Sequence, residues 1–288
     1  MMLVEQDVRF DIVPTGGALG AEVLGVDLSA PLGRDLVVRL RQAWLENQVL
    51  VFRGQSLSDG QLLTVARAFG EPHVVEVCEY DRTGLLPEID VISNVVENGK
   101  PIGALGAGEA AWHTDMSMFD YPAAGTFLYG REIPPSGGNT RFANMYAAYE
   151  TLPTALKEKI EGRHSIHDIA YTAAGTVRAG FEAVTDKTKG PGAVHPIVRT
   201  HVETGRKALF LGRQGYGYIH GLTVPQSDDL LEQVWQHMTD PKFMWEHSWK
   251  LGDVIMWDNR CLIHSRGTVG SSARRILRRV TVKGEKPV

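Results

Sequence analysis

The chain begins with two stretches in which apolar residues recur every three or four positions. Residues 34–48 and 58–70 both show this spacing, which is typical of a helix that buries one side. Ser58 stands where an N-cap is expected, and Gly70 stands where the second helix would stop. Between the two stretches, residues 49–54 form a short continuous apolar run, which indicates a buried strand. The sequence therefore predicts two helices separated by a strand.

The pattern changes in the second half, where apolar runs become short and turn signals follow one another closely. Residues 194–201 and 208–212 flank the segment ETGRK, a combination typical of a β-hairpin. Other strands are predicted at 87–95, 250–260 and 276–284, and later helices at 145–162 (one helix or a pair) and 227–240. We expect a single α+β domain over residues 1–288, with a sheet sandwich or jelly roll as its core.

Composition narrows the class of protein. Of the 288 residues, 43% are hydrophobic and 22% are charged, which is ordinary for a soluble globular chain with a full core. The formal net charge of −4 disfavours a nucleic-acid partner, because such proteins usually carry a basic excess. No apolar stretch has the length of a membrane span or a signal peptide, so we expect a cytoplasmic protein with no membrane partner.

The two cysteines carry little information about a site. Cys78 and Cys261 lie far apart and form no C-x-x-C motif, which indicates a reducing compartment and no disulfide framework. They also supply no zinc-ligand pattern with the histidines, so a structural zinc site is disfavoured.

A candidate metal motif occurs in WHTDMSMF, where His113 and Asp115 are two residues apart and would share one face of an extended chain. With 10 His and 34 acidic residues in 288, the pattern His-x-Asp/Glu is expected about once by chance. It occurs twice, and the second copy contains His201 and Glu203. That second copy lies at the end of a predicted hairpin strand, where we expect its polar residues to face water. The tripeptide alone therefore decides nothing.

A third ligand would complete the first motif. Two histidines and one carboxylate on one face of ferrous iron leave three positions open for a cosubstrate and O₂. His264 follows a predicted strand in GDVIMWDNRCLIHSRG, and only the sheet could bring it to His113. From the residues alone, a core or surface histidine is the more frequent role at such a position.

A group of arginines lies in the final strand, ARRILRRVTVK. Alternation places Arg275 and Arg279 on one face and Arg274 and Arg278 on the other. Two arginines on an inward face are costly unless each meets an anion, and guanidinium binds carboxylate or sulfonate in a bidentate manner. The alternative is a solvated basic edge strand, and the residues alone favour it.

The segment GKPIGALGAGEA, residues 99–110, contains four glycines and runs directly into the first metal motif. A flexible lid beside a reactive centre has this composition. An ordinary flexible surface loop has it as well.

Taken together, four segments resemble a known family. WHTD, GGNT (137–140), WDNRCLIH (257–264) and ARRILRRVT (273–281) are similar in order and spacing to the taurine dioxygenase and 2,4-dichlorophenoxyacetate dioxygenase family. The likeness covers nearly the whole chain. It implies an α+β fold with a double-stranded β-helix, or jelly roll, flanked by helices. It also implies an oxidoreductase that uses Fe(II), 2-oxoglutarate and O₂.

The resemblance assigns roles to individual residues. It implies that iron is bound by His113, Asp115 and His264, that 2-oxoglutarate is held by Thr140 and Arg275, and that Arg279 receives the anionic end of the primary substrate. It implies no catalytic residue beyond the metal centre.

The chain departs from the taurine enzymes around the pocket. It keeps His73, but Val75 stands where a second histidine is expected. Glu109 replaces an asparagine and Met118 replaces a phenylalanine. We therefore expect His73 and Met118 to contact a substrate whose non-anionic end differs from that of taurine.

These observations favour an oxygenase that hydroxylates a small organic anion, an aryloxyalkanoate or another carboxylate, with release of succinate and CO₂. The alternative substrates are alkylsulfonates and sulfate esters. Two other classes stay open: a zinc- or manganese-dependent hydrolase or lyase on the same scaffold, and a non-catalytic jelly-roll binding module. We also expect a homo-oligomer.

Overall fold

The computed structural model describes residues 9–75, 78, 80–270 and 272–288. Within these residues the helices are α1 (Arg34–Asn47), α2 (Asp59–Phe69), α3 (Met145–Glu150), α4 (Thr154–Ile160) and α5 (Val224–Met238). The strands are β1 (Asp11–Pro14), β2 (Ala21–Leu24), β3 (Val49–Phe52), β4 (Asp90–Ser93), β5 (Val96–Glu97), β6 (Lys100–Pro101), β7 (Ala104–Leu105), β8 (Ala110–His113), β9 (Ala123–Glu132), β10 (Thr140–Asn144), β11 (His164–Asp168), β12 (Gly192–Pro196), β13 (Val198–Thr200), β14 (Lys207–Leu209), β15 (Gly217–Ile219), β16 (Met244–His247), β17 (Val254–Asp258), β18 (Leu262–Arg266) and β19 (Ile276–Lys283).

Two sheets form the centre of the fold. The larger has the strand order β1-β2-β3-β17-β9-β19-β4-β7, and the smaller has the order β16-β10-β18-β8. Most neighbouring pairs in both sheets are antiparallel, as in a jelly roll. The predicted fold, a double-stranded β-helix flanked by helices, is confirmed.

Alternation along β17 shows how the layers arise. Ile255 and Trp257 pack into a core that also contains Phe142 and Leu262 from the smaller sheet. The intervening Met256 points the other way, into a core shared with α1 and α2. Because β3 and β17, in the middle of the larger sheet, have both faces covered, their residues are almost all apolar. This explains the continuous apolar run that the sequence shows at residues 49–54, which contain β3.

The outer face of the smaller sheet is covered by the later helices. Ala143 of β10 and Ile263 of β18 pack in one core with side chains of α3 and α5. The predicted helix at 145–162 is the pair α3 and α4, separated by Pro153. The predicted hairpin near residue 200 is present as β13 and β14.

Helix starts follow their capping residues. Ser58 caps α2 and forms a reciprocal capping box with Gln61, as the sequence predicts. Helix α5 begins at Val224, three residues earlier than predicted, because Thr223 and Gln226 form a second capping box. Within the described residues, no helix has the length and hydrophobicity needed to cross a membrane.

Candidate metal centre

Two histidines face each other across neighbouring strands of the smaller sheet. His113 of β8 and His264 of β18 are direct partners in the antiparallel register, and their ring centroids are 4.2 Å apart. Asp115 lies two residues beyond His113, and its carboxylate oxygens lie 3.8 Å from Nε2 of each histidine. All three side chains are buried, and their ligand atoms lie within 4.8 Å of one another. We call these three residues the metal triad.

The protonation states of the triad suit a divalent cation. Nδ1 of His113 donates a 2.7 Å hydrogen bond to the carbonyl of Ala111, which leaves the lone pair of Nε2 free. Burial lowers the pKa of His113 to about 3, and burial also lowers the pKa of His264. Burial alone would raise the pKa of Asp115, but His264 and Arg279 bring it down to about 2. Two neutral imidazoles and one carboxylate are the donor set that suits iron(II).

A chain of hydrogen bonds orients the triad's carboxylate. Thr126 of β9 donates to Oδ2 of Asp115 over 2.8 Å, and the side-chain amide of Asn259 donates to Thr126 over 2.8 Å. Trp257 in turn donates its indole N–H to Asn259, and its ring packs 4.9 Å from that of His264. No sequence pattern marks Thr126 or Asn259 as part of the site.

Arg275 is a buried cation without a described anionic partner. It is 2% exposed, and its Nε has no hydrogen-bond partner. Burial, together with the charge of Arg266, lowers the pKa of Arg275 to about 9. A Cβ on Gly138, which has a φ of +67°, would come within 2.8 Å of the arginine, so glycine makes room for the guanidinium stem. These features describe a binding position for an acidic group.

Thr140 lies close to this position. Trp249, whose ring lies 5.6 Å from the Arg275 guanidinium, donates its indole N–H to the Thr140 hydroxyl over 3.0 Å. In the register of β10 and β18, Thr140 faces Arg266. Thr140 and Arg275 therefore meet around one indole ring, in keeping with a shared ligand.

Arg279 has partners of its own. Its Nη2 and Nε lie 2.5 and 3.1 Å from Oδ2 of Asp90, and its Nη1 lies 3.2 Å from Asp115. Arg274 and Arg278 leave the opposite side of the strand, as the alternation predicts. Arg274 pairs with Glu132 and Glu97, and Arg278 pairs with Asp59.

A cavity of about 440 Å³ opens next to the triad. His113, Asp115, Arg279 and Met118 contribute to its wall. Further wall residues come from three segments, 93–96, 101–106 and 172–179, and from Tyr80, Asp90 and Arg213. His73 is not among the lining residues; its backbone N–H bonds to the carbonyl of Thr281 at the far end of β19.

Residues 99–110 form one side of this cavity and contain the short strands β6 and β7. Arg266 donates to the carbonyl oxygens of Leu105, Gly106 and Gly108, with 3.0 Å to Gly106. The segment is therefore anchored through its backbone. Its mobility stays a prediction.

The second His-x-Glu motif follows expectation only in part, since Glu203 is exposed as predicted but His201 does not face water. His201 is fully buried, and its Nε2 lies 3.0 Å from Asp258. Glu203 pairs with Arg41 and Arg260. Placing the motif at a hairpin exit was right, but the exit packs onto the turn that precedes His264.

His201, Asp258 and Cys261 also lie close enough together to hold a metal. Both nitrogens of His201 are already used, since Nδ1 accepts from backbone N–H groups and Nε2 bonds to Asp258. Both carboxylate oxygens of Asp258 accept from Arg260. This cluster is a structural network rather than a second metal site.

A family model, sequence relatives and solved structures all place this chain among the same group of dioxygenases. A family model described as taurine catabolism dioxygenase TauD, TfdA family matches residues 11–281. The chain is 36% identical to an alpha-ketoglutarate-dependent 2,4-dichlorophenoxyacetate dioxygenase of Cupriavidus pinatubonensis, over 93% of this chain and 96% of the relative. It is 33% identical to an (S)-phenoxypropionate/alpha-ketoglutarate-dioxygenase of Sphingobium herbicidovorans, over 96% of each. The crystal structure of AAD-2 in complex with Mn(II) and N-oxalylglycine matches with a TM-score of 0.79 at 32% identity, covering 97% of this chain and 99% of that one.

Proposed function

Because the chain belongs to the taurine catabolism dioxygenase TauD, TfdA family and is an iron(II)- and 2-oxoglutarate-dependent dioxygenase, we propose that it hydroxylates a small organic anion. The proposed substrate is an aryloxyalkanoate or another carboxylate. The observation that carries this proposal is the neighbourhood of two features. A buried triad of two neutral imidazoles and a carboxylate lies beside a cavity. A buried Arg275 without a described anionic partner contacts Trp249, which bonds to Thr140 on the strand next to that of His264.

In this proposal the metal triad binds Fe(II), and Arg275 with Thr140 holds the distal carboxylate of 2-oxoglutarate. Iron, 2-oxoglutarate and O₂ supply the oxidation of a C–H bond, with succinate and CO₂ as coproducts. The unpartnered Nε of Arg275 supports this position for 2-oxoglutarate, because a buried donor needs a polar partner. The Thr140 hydroxyl supports it as well, because it accepts from Trp249 and keeps its own O–H to donate.

The protein's own contribution is orientation and exclusion of water. The hydrogen bond from Thr126 fixes the rotation of the Asp115 carboxylate, and Trp257 packs against the ring of His264. The cavity wall keeps the substrate beside the triad while the buried arginine fixes the cosubstrate.

The resemblance further suggests that Arg279 contacts the anionic end of the primary substrate, with Met118 and His73 toward its other end. Met118 lines the cavity and supports this proposal. His73 does not line the cavity, so its proposed contact with substrate is supported by the resemblance alone. Alkylsulfonates and sulfate esters are the alternative substrates, because an arginine receives all three acidic groups in the same manner.

The proposal also covers the localisation, the oligomeric state and the partners of the enzyme. We place the enzyme in the cytoplasm as a homo-oligomer that acts on small molecules, without a nucleic-acid or membrane partner. The net charge of −4 supports the exclusion of nucleic acid.

A panel of candidate substrates tests the proposed reaction. Purified enzyme with Fe(II), 2-oxoglutarate and O₂ would be assayed for succinate, in the presence of aryloxyacetates, aryloxypropionates, alkylsulfonates or sulfate esters. We expect an aryloxyalkanoate or another carboxylate to stimulate succinate release and to be consumed in equal amount. Stimulation by sulfonates or sulfate esters alone would contradict the proposed substrate class while leaving the dioxygenase assignment intact.

A further inference from the structure

Arg279 already has a counter-ion of its own. Oδ2 of Asp90 receives two of its N–H groups, and Oδ1 of Asp90 accepts a 2.5 Å hydrogen bond from the hydroxyl of Tyr80. Asp90 is buried, so this ion pair is poorly screened by solvent. An anionic substrate that approaches Arg279 therefore meets a guanidinium that Asp90 already neutralises and that also contacts Asp115, and it must compete with Asp90 for the N–H groups.

Arg213 is a second arginine in the cavity wall, and it comes from the other side of the site. Its Cα pairs with that of His113 in an antiparallel bridge, on the edge of β8 that faces away from His264. Hydrogen bonds from Thr114 to Gly212 and from Gln214 to Trp112 fix this bridge. Arg213 is therefore held beside a metal-triad residue by its backbone.

Arg213, unlike Arg279, has no carboxylate beside it in the described structure to balance its charge. Its Nη1 donates to the carbonyl of Tyr171, which is neutral, and its Nε is buried without a hydrogen-bond partner. Across the described part of the chain, no carboxylate lies at ion-pair distance from it; Asp168 and Asp115 act on it only from farther away. Burial and the charge of Arg178, which lines the same wall, lower the pKa of Arg213 to about 10. The guanidinium stays charged at neutral pH and lacks an anion.

From these two environments we propose that Arg213 supplies the net positive charge to which the anionic group of the primary substrate binds. Asp90 is then a specificity-determining residue, because it holds Arg279 in an ion pair and leaves that arginine the weaker of the two anion sites. The cavity of about 440 Å³ lies in the size range of small-molecule pockets and includes both arginines. This inference rests on the proposed function, since it concerns the anion of that substrate.

A binding experiment separates charge recognition from folding and from turnover. The enzyme would be loaded with Mn(II) and N-oxalylglycine, an unreactive isostere of 2-oxoglutarate that fills the cosubstrate position. Isothermal titration calorimetry then measures the Kd of phenoxyacetate and of phenoxyacetamide, its neutral counterpart. The ratio of the two constants reports the charge at the substrate site.

Wild-type enzyme should bind phenoxyacetate far more tightly than the amide. Arg213→Gln should weaken phenoxyacetate by about 30-fold or more and leave the amide nearly unchanged, because only the anion loses a charged partner. Arg213→Lys should keep a preference for the anion. The control is Arg274→Gln, which removes an exposed arginine that pairs with Glu132 and should leave both constants unchanged.

The role of Asp90 is tested in the same assay. Asp90→Asn removes the main counter-ion of Arg279 and leaves only the contact of its Nη1 with Asp115, so it should tighten phenoxyacetate several-fold in the wild-type background. In the Arg213→Gln background it should restore part of the lost affinity. An anion-to-amide ratio that is unchanged by Arg213→Gln but abolished by Arg279→Gln would overturn the proposal, and so would a loss of anion affinity on Asp90→Asn.

The outcome also distinguishes this inference from the proposed substrate class. Wild-type enzyme could fail to bind phenoxyacetate but bind benzenesulfonate or phenyl sulfate in an Arg213-dependent manner. In that case the proposal of a carboxylate substrate is wrong, and the role of Arg213 is supported. If no anion binds although Mn(II) and N-oxalylglycine do, the role of Arg213 is wrong.

Discussion

The hydroxyl of Thr126 donates a 2.8 Å hydrogen bond to Oδ2 of Asp115, and both side chains are buried. The two residues come from different sheets. Thr126 belongs to β9 of the larger sheet, and Asp115 follows β8 of the smaller one. This bond joins the two layers of the jelly roll at the metal triad. The other oxygen, Oδ1 of Asp115, lies 3.8 Å from Nε2 of His113 and accepts from Arg279.

We predict that Thr126→Val weakens metal binding without unfolding the protein. Valine keeps the shape of threonine but cannot orient the carboxylate, and loss of such a partner commonly costs about 10- to 100-fold in metal affinity. Titration of the apo-enzyme with Mn(II), followed by calorimetry, measures the effect. Thr64→Val, an exposed change in α2, serves as the control. Equal Mn(II) affinity in Thr126→Val and wild type would show that the hydrogen bond does not orient the ligand.

Metal affinity should also resist mild acid. A protonated histidine cannot bind a metal, so affinity falls once the pH drops below the pKa of the free ligands. Burial lowers the pKa of His113 to about 3 and also lowers that of His264, while the pKa of Asp115 is about 2. His113 and Asp115 are therefore ready to bind throughout the range from pH 7.5 to 5.5, and His264 resists protonation better than an ordinary histidine. We expect the Kd for Mn(II) to change across this range by far less than the loss of about 100-fold that two ordinary histidines with a pKa of about 6.5 would cause. A steep loss below pH 6.5 would contradict the buried, neutral state of the two rings.

Arg275→Ala should raise the concentration of 2-oxoglutarate needed for half-saturation by about 30- to 3,000-fold, because a buried charged hydrogen-bonding partner is lost. The spectrum of the anaerobic complex with Fe(II), titrated with 2-oxoglutarate, measures this binding directly. Arg274→Ala is the matched control, since it removes the neighbouring exposed arginine. Arg279→Ala should leave 2-oxoglutarate binding close to that of wild type. Equal damage from Arg275→Ala and Arg279→Ala would remove the assignment of Arg275 to the cosubstrate.

Residues 99–110 should exchange their amide hydrogens more slowly once the cavity is filled. The segment lines the cavity, and Arg266 bonds to its carbonyl oxygens, so a bound ligand closes the remaining open side. Hydrogen–deuterium exchange would compare apo-enzyme with enzyme holding Mn(II), N-oxalylglycine and phenoxyacetate. The helix α5, on the far side of the smaller sheet, provides the internal control. Identical exchange of the segment in both states would mean that it is a connector and not a lid.

Much of the site could be predicted from the sequence because its parts obey local rules. His113 and Asp115 are two residues apart on an extended chain, so their common face follows from strand geometry. The opposite directions of Arg274 and Arg275 follow from the same alternation. His264 could be proposed from chemistry, but only the register of β8 with β18 brings it to His113. The family resemblance supplied that pairing before the structure did.

The parts that were missed depend on pairs distant in sequence. Asp90 meets Arg279 across 189 positions, and no local pattern distinguishes Asp90 from any other acidic residue at a strand start. Arg213 lies in a glycine-rich turn, which predicts exposure, and its bridge to His113 exists only in the folded sheet. His201 was expected to face water because it lies at the end of a predicted hairpin strand. In each case tertiary packing decides the environment, and sequence periodicity does not report it.

We propose that the metal triad and Arg275 form one centre for iron(II) and 2-oxoglutarate. The most direct test is anaerobic absorption spectroscopy of the apo-enzyme with Fe(II), before and after addition of 2-oxoglutarate. Wild-type enzyme should develop a weak visible charge-transfer band that saturates at one equivalent of each ligand. Asp115→Ala and His264→Ala should lose the band while keeping a folded circular dichroism spectrum. A band that persists in both variants, or its absence from wild-type enzyme that binds Fe(II), would contradict the account.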